Sequence, residues 1–263
     1  MSTPRPDAVP DQLSFGGQAG AYARYRPAYP EAVFEAIARY AKVPLRHAFE
    51  IGAGTGLASR ALLQRLPVAL DAWEPDPALA ALWSAQLADA TPPARLYPDP
   101  FEQATPARAD YDLGIAASVM HWLAPAATLA KVRQWLRPGG CWVMWWTVFG
   151  DPAQPDAFAR ASEPLYRRIA PARALPPALD AAARRRELAA AGLVDIACQR
   201  IDWSCEQTTE QVVGLAQTFP AVARQPDAAR RQFLQQLAAL VEDRFGGRVR
   251  RHFTTPLYLA TAP

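Results

Sequence analysis

The chain has 263 residues, 51% of them hydrophobic, with 28 Lys and Arg against 25 Asp and Glu for a net charge of +3. That length carries one large α/β domain with insertions and a full core. The charge is too small to argue for a nucleic-acid or membrane surface, and no apolar run reaches the roughly 18–20 residues that cross a bilayer. The opening "MSTPRPDAVPDQ" lacks an apolar h-region and does not read as a signal peptide, which points to the cytoplasm. Lys42 and Lys131 are the lysines and every other basic residue is Arg, the composition of a GC-rich, bacterial genome. The run Arg184-Arg185-Arg186 therefore reads as the solvated face of a helix. The three cysteines, Cys141, Cys198 and Cys205, have no CxxC spacing, so neither a disulfide framework nor a zinc site is expected.

In chain order, a polar, Pro-rich tail precedes "PEAVFEAIARYAKV" (Pro30 to Val43), which reads as a helix with Pro in its first turn. "RHAFEI" is a first strand that runs into a Gly turn. "GLASRALLQRL" places Leu57, Ala58, Ala61, Leu62 and Leu66 at helical spacing. "VALDAWEPD" is a second strand ending in acids, and "PALAALWSAQL" a helix with Leu79, Leu82 and Trp83 on one face. "ARLYP" is a short third strand. "YDLGIAASV" is a fourth, nearly all apolar as expected of a strand buried on both faces. "PAATLAKVRQWL" is a helix stopped by Pro138-Gly139-Gly140, and "CWVMWWTVF" a fifth strand. Beyond Gly150, helices are expected near Asp156 to Ala170, Pro177 to Ala191 and Thr209 to Phe245, with strands over Leu193 to Trp203 and "RHFTTPLYLAT". Alternating strands and helices predict a mostly parallel sheet with helices on both faces. No internal repeat and no second domain with a core of its own is expected.

The turn after the first strand reads acid-x-G-x-G-x-G: Glu50, Gly52, Gly54, Gly56. Glycines there let the backbone approach a ligand closely, with helix N–H groups facing an anion. The dinucleotide fingerprint G-x-G-x-x-G needs a glycine where Leu57 stands, and the Lys-Ser/Thr pair of a P-loop is missing. At the end of the second strand Glu74 is placed to accept both hydroxyls of a ribose.

These residues resemble class I S-adenosylmethionine (SAM)-dependent methyltransferases, and the resemblance runs over nearly the whole chain. "FGGQAGAYARYRPAYP" resembles the N-terminal segment of a small-molecule branch similar to trans-aconitate methyltransferase. "DPFE" resembles the turn after the family's third strand, "AASVMHWL" the segment after its fourth, "LRPGGCWVMWW" its fifth strand and "TPLYLATA" its last. The resemblance implies a Rossmann-like, seven-stranded sheet with one antiparallel strand near an edge. Its single domain would comprise an N-terminal tail and lid (1–28), a SAM-binding core (29–150), helical acceptor-side insertions (151–192 and 207–246) and C-terminal strands (193–206 and 248–262). It implies SAM as cofactor, with Glu50 as the motif's acid. Gly52, Ala53, Gly54 and Gly56 would lie along methionine and ribose, and Glu74 on the ribose hydroxyls. Pro75, Phe101 and Glu102 would flank the adenine. Ala116, Ala117 and Ser118 would back the sulfonium, and Tyr25 and Arg26 close over the cofactor. Pro100 stands where relatives often carry an acid.

Methyl transfer from a sulfonium is an in-line displacement in which the protein chiefly orients and desolvates. His121, after the fourth strand, is the candidate base, with a backbone-positioning role as the alternative. Tyr22, Trp122, Trp145, Trp146, Thr218 and Phe219 are candidate acceptor-binding residues, aromatic groups there suiting a flat or apolar molecule. His47 and His252 read as structural or solvated. The expected activity is metal-independent methyl transfer to a small molecule of specialised metabolism, at oxygen or nitrogen, with no nucleic-acid or membrane partner. The alternatives are methyl esterification of a small carboxylic acid, a SAM-binding regulator without catalysis, and a nicotinamide oxidoreductase, which Leu57 disfavours.

Overall fold

The sheet is built on strands whose alternate residues serve opposite faces. In β1 (His47–Ile51), Phe49 and Ile51 point to one layer and Ala48 to the other, all three buried. A computed structural model describes residues 19–150, 155–169 and 176–263. The predicted tail, Phe15 to Gln18 of the N-terminal segment and parts of the first insertion lie outside the described residues.

β1 pairs in parallel with β2 (Ala69–Trp73) and β4 (Tyr111–Ala117). β3 (Ala94–Tyr97) extends the sheet beyond β2, and β5 (Leu136–Trp145) extends it beyond β4, again in parallel. The last strand, β8 (Arg248–Thr261), runs antiparallel to β5, and β7 (Val194–Thr208) closes the edge antiparallel to β8. This is a Rossmann-like mixed sheet with its antiparallel strand one place from the edge. The described residues form eight strands where seven were expected, because the predicted fifth strand is cut in two. β6 (Val148–Phe149) continues it along β8. The cause is Pro256. In register it lies opposite Trp146, whose N–H donates to the Pro256 carbonyl at 3.4 Å, but proline returns no N–H to the ladder. The ladder lapses at Trp146 and Thr147, and both reach the ligand-facing end of the sheet.

Helices α2 (Glu31–Tyr40), α3 (Leu57–Leu63) and α4 (Pro77–Leu87) cover one face through Val33, Phe34, Ile37, Leu62, Trp83 and Leu87. The Asp76 carboxylate caps α4 by accepting the Ala78 and Leu79 N–H groups, a cap whose loss costs roughly 1 kcal/mol. On the other face, α5 (Pro125–Trp135) and α7 (Ala181–Ala190) cover an aromatic layer. There the Phe49 ring lies 5.1 Å from Tyr111, 5.3 Å from Trp135 and 6.1 Å from Trp142. Gly114 makes that layer possible, since a Cβ on it would sit 2.3 Å from Phe49 Cζ and 2.9 Å from Trp142 Cε3.

The insertions build a third apolar cluster. α6 (Ala157–Ile169), α8 (Thr209–Gln217), α9 (Pro220–Ala223) and α10 (Asp227–Phe245) bury Phe158, Leu215, Val222, Phe233, Leu237 and Val241 together. Helix α1 (Ala19–Tyr25) rests on this unit. Tyr25 lies over Gly214, where a Cβ would come within 2.4 Å of the ring, and Glu210 accepts from Arg24 at 2.7 Å and from the Tyr25 hydroxyl at 2.9 Å.

Candidate functional site

The carboxyl ends of the parallel strands open into one cavity of about 590 Å³, a volume typical of small-molecule sites. Its floor is the turn after β1. Gly52 and Gly54 have φ of +63° and +57°, in the left-handed region that side chains rarely adopt. A Cβ on Gly52 would sit 2.4 Å from Val119 Cγ2, whereas one on Gly54 would enter open space in the cavity. Gly54 is thus a cradle that any side chain would fill.

Glu74 is 6% exposed at the end of β2 and ties this turn to the next. One oxygen accepts the Gly54 N–H at 2.8 Å and the other accepts the Asp76 N–H at 2.9 Å. Burial pushes its pKa up, and those two N–H groups pull against that. The carboxylate lines the cavity with both backbone bonds in place.

Glu50 is placed otherwise. It is 1% exposed beneath the turn, does not line the cavity, and accepts a hydrogen bond from the Ser59 hydroxyl, which in turn accepts the Trp83 indole N–H at 2.7 Å. Burial raises its pKa from 4.5 to about 8; the Ser59 bond opposes this and the Glu74 charge adds to it. The folded state therefore holds a proton that the unfolded chain releases between pH 4.5 and about 8. Its contribution to stability is fully present below that window and is lost as pH rises through it, by at most about 1.4 kcal/mol per pH unit. Glu50→Gln, which keeps an acceptor for Ser59, should flatten this dependence and be more stable than the parent at pH 9. Urea unfolding at pH 5, 7 and 9 measures it, and equal slopes in the two proteins would refute it.

Of the other predicted residues, Pro75, Phe101 and Glu102 line the cavity beside Glu74. Ala117 and Ser118 line it at the end of β4. Ser118 takes a left-handed φ of +59° and donates its N–H to the Trp145 carbonyl at 2.8 Å. Strain of this kind costs of order 1–3 kcal/mol and collects at functional sites. Tyr22, Arg26, His121, Trp122 and Trp146 complete the predicted lining. The Arg26 guanidinium stands 4.7 Å from the Tyr22 ring centroid and 4.9 Å from that of Phe149, and its Nε donates to the Thr218 hydroxyl at 3.2 Å.

Several predicted residues lie behind the wall. Ala53 and Ala116 are core residues, and Gly56 faces Trp83 and Leu87. Trp145 is fully buried on the face that α2, α3 and α4 cover, 5.5 Å from Tyr29, because its neighbour Trp146 takes the opposite side of the strand. Thr218 and Phe219 back Arg26 from the insertion instead of lining the cavity. Tyr25 turns away to Gly214 and Glu210, since one residue of helix separates its direction from that of Arg26. The sequence reading missed Ile51, Trp73, Leu79, Val119, Leu123, Thr147 and Pro220, together with Pro98 and Pro100 next to Phe101 and Glu102. The pleat of β1 and β2 was the available signal for Ile51 and Trp73.

His121 sits in a short 3-10 turn, Met120–Trp122, after β4. Its Nδ1 accepts the Trp146 indole N–H at 3.1 Å. Its pKa is lowered, first by the protein packed around it and then by the Arg26 charge, although part of the ring stays open to the cavity. Among the described residues no cluster of His, Cys, Asp or Glu is suited to a metal ion, and no helix is long and apolar enough to cross a membrane.

The sequence profile of the family described as "Methyltransferase domain" matches residues 49–142. An uncharacterized methyltransferase of Mycobacterium tuberculosis is 34% identical over 128 residues, which are 49% of this chain and 49% of that protein. The match thus spans about half the length of the curated relatives. A protein of Anaeromyxobacter dehalogenans, described as a candidate type II methyltransferase, has a similar structure with a TM-score of 0.64 at 22% identity, covering 90% of this chain and 97% of its own. Phosphoethanolamine N-methyltransferase 2 of Haemonchus contortus, solved with S-adenosyl-L-methionine, gives a TM-score of 0.58 at 12% identity over 100% of this chain and 62% of its own. This chain has the Rossmann-like α/β fold of methyltransferases, and the stretch that matches their domain, residues 49–142, contains the Gly52–Gly56 turn, Glu74 and His121.

Proposed function

We propose that the protein is a SAM-dependent methyltransferase that acts without a metal on a small molecule, at oxygen or nitrogen. The observation that carries this reading is the open cradle at Gly54 joined to the Glu74 carboxylate at the mouth of parallel strands. Open α/β sheets bind ligands at that edge. The residues fit the cofactor: Gly52, Gly54, Ala117 and Ser118 would lie along methionine and ribose, Glu74 would take the ribose hydroxyls, and Phe101 with Pro75 and Pro100 would hold the adenine. Arg26, braced by Tyr22, Phe149 and Thr218, supplies a cation for a carboxylate. The match of residues 49–142 supports the same reading.

The bound cofactor supplies a methyl group already activated by the sulfonium charge. What remains for the chain is to aim the acceptor and exclude water. His121, Trp122, Leu123, Trp146 and Pro220 also line the cavity and are not among the residues assigned to the cofactor. Their apolar surfaces suit a small organic acceptor of specialised metabolism, and the Arg-rich composition supports a bacterial source.

Incubation of the protein with methyl-labelled SAM and fractionated bacterial extract tests the reading. Label should enter the small-molecule fraction, and the mass of that product identifies the acceptor. Label confined to RNA or protein overturns the small-molecule assignment. SAM binding without transfer to any fraction overturns the enzyme in favour of a SAM-binding regulator.

A further inference from the structure

The contact between Trp146 and His121 restricts what the imidazole can do. An indole N–H donates and never accepts, so the His121 nitrogen that receives it at 3.1 Å must keep its lone pair. In the neutral ring the proton then resides on Nε2. Adding a proton to Nδ1 would set two N–H donors against each other. Trp146 has little freedom to turn away. It is 7% exposed, its ring meets Tyr258 edge-on at 6.1 Å, and the Tyr258 hydroxyl donates to the Ala178 carbonyl at 2.6 Å. Its backbone is held where Pro256 interrupts the ladder. Tyr22, Arg26, Glu74 and Glu102 are the titratable groups that share the cavity with His121. Of these, Arg26 is the one whose charge bears on the ring, and it too opposes an imidazolium. The Nε2 edge has no hydrogen-bond partner among the described residues.

We propose that Trp146 is a positioning residue that fixes His121 as a neutral ring with its proton on Nε2, so that His121 holds the methyl acceptor by donating a hydrogen bond and takes no proton from it. An acceptor oxygen that receives this bond keeps a further lone pair for the attack; an amine receives the bond on a neighbouring polar atom, since its single nitrogen lone pair must stay free. As the new C–O or C–N bond forms, the methyl C–S bond breaks and the electron pair stays on sulfur. An anionic oxygen becomes a neutral product. A neutral amine becomes an ammonium, which loses its proton to water after release. The identity of the acceptor rests on the transferase reading; the state of the ring does not.

The test separates the two. Protein labelled with ¹⁵N-histidine gives long-range ¹H–¹⁵N correlations for three imidazoles, His47, His121 and His252, and the spectrum of His121→Gln identifies the missing set. His121 should show a protonated Nε2 and a bare Nδ1, and titrate below the ordinary imidazole value of about 6.5. In Trp146→Phe the ring should populate both tautomers and titrate at a higher pH than in the parent. A proton on Nδ1 in the parent, or titration at 6.5 or above, overturns the proposal, whether or not any methyl is transferred. With the acceptor in hand, any acid limb of kcat should lie at a higher pH in Trp146→Phe than in the parent. His121→Gln keeps an N–H of similar reach and should lower kcat less than about tenfold. A general base would instead be worth roughly 10²–10⁴, so a loss of that size in His121→Gln overturns the donor role. His121→Gln leaves the aromatic core untouched, so this arm stands even if Trp146→Phe fails to fold.

Discussion

Glu74→Ala should weaken SAM binding by roughly a hundredfold, measured by titration calorimetry. The carboxylate does two jobs with the same two oxygens. It fixes the turn through the N–H groups of Gly54 and Asp76, and in the proposed complex its remaining lone pairs take the ribose hydroxyls. Hydrogen bonds to charged groups are worth about 1.5–3 kcal/mol each, and about 2.7 kcal/mol corresponds to a hundredfold in affinity. Glu74→Gln should recover little of this, because its NH₂ must face one of two backbone donors that already need an acceptor. Unchanged affinity in both variants would remove Glu74 from the cofactor site and with it the proposed orientation of the ligand.

The second large effect is on stability. Gly114→Ala should cost about 3 kcal/mol, because a single methyl enters the most crowded point of the aromatic layer. The Cβ would lie 2.3 Å and 2.6 Å from two atoms of the Phe49 ring and 2.9 Å from Trp142. None of these is the far end of a flexible chain: Phe49 is itself wedged between Tyr111, Trp135 and Phe101. For a chain of this size the melting temperature should fall by roughly 6–12 °C. A drop of less than 2 °C would mean that the layer has slack. Phe49→Leu, by making room, should lessen the penalty of the alanine when the two are combined, a coupling that a double-mutant cycle reads directly.

The two periodicities made most of the fold legible. The nearly continuous apolar run at Tyr111 to Ala117 and the Gly turn before Leu57 placed β4 and the start of α3, because backbone sterics leave such segments few alternatives. What stayed hidden came from pairing between distant segments. Nothing near Trp146 shows that Pro256, more than a hundred residues later, will return no N–H to it, so one predicted strand became two. The candidate site divided in the same way. Gly52, Gly54 and Glu74 are set by the turn itself and line the cavity. The separation of Tyr25 from Arg26, and of Trp145 from Trp146, depends on which side of an element each side chain takes. Thr218 and Phe219 were singled out from an insertion whose packing follows no local rule, and they back Arg26 from behind. The core of the insertions was unforeseen because their apolar residues are scattered over four helices that only tertiary packing brings together.

The seat of α1 on α8 bears on how such a protein diversifies. Arg26 reaches the cavity at the end of a short helix whose resting place, Gly214 with Glu210, belongs to the second insertion, residues 207–246. A chimera that exchanges residues 207–246 for those of a relative would also remove the seat of α1 and with it the support of Arg26. Under the proposed function, a change made for the acceptor would therefore also disturb the cofactor side of the cavity.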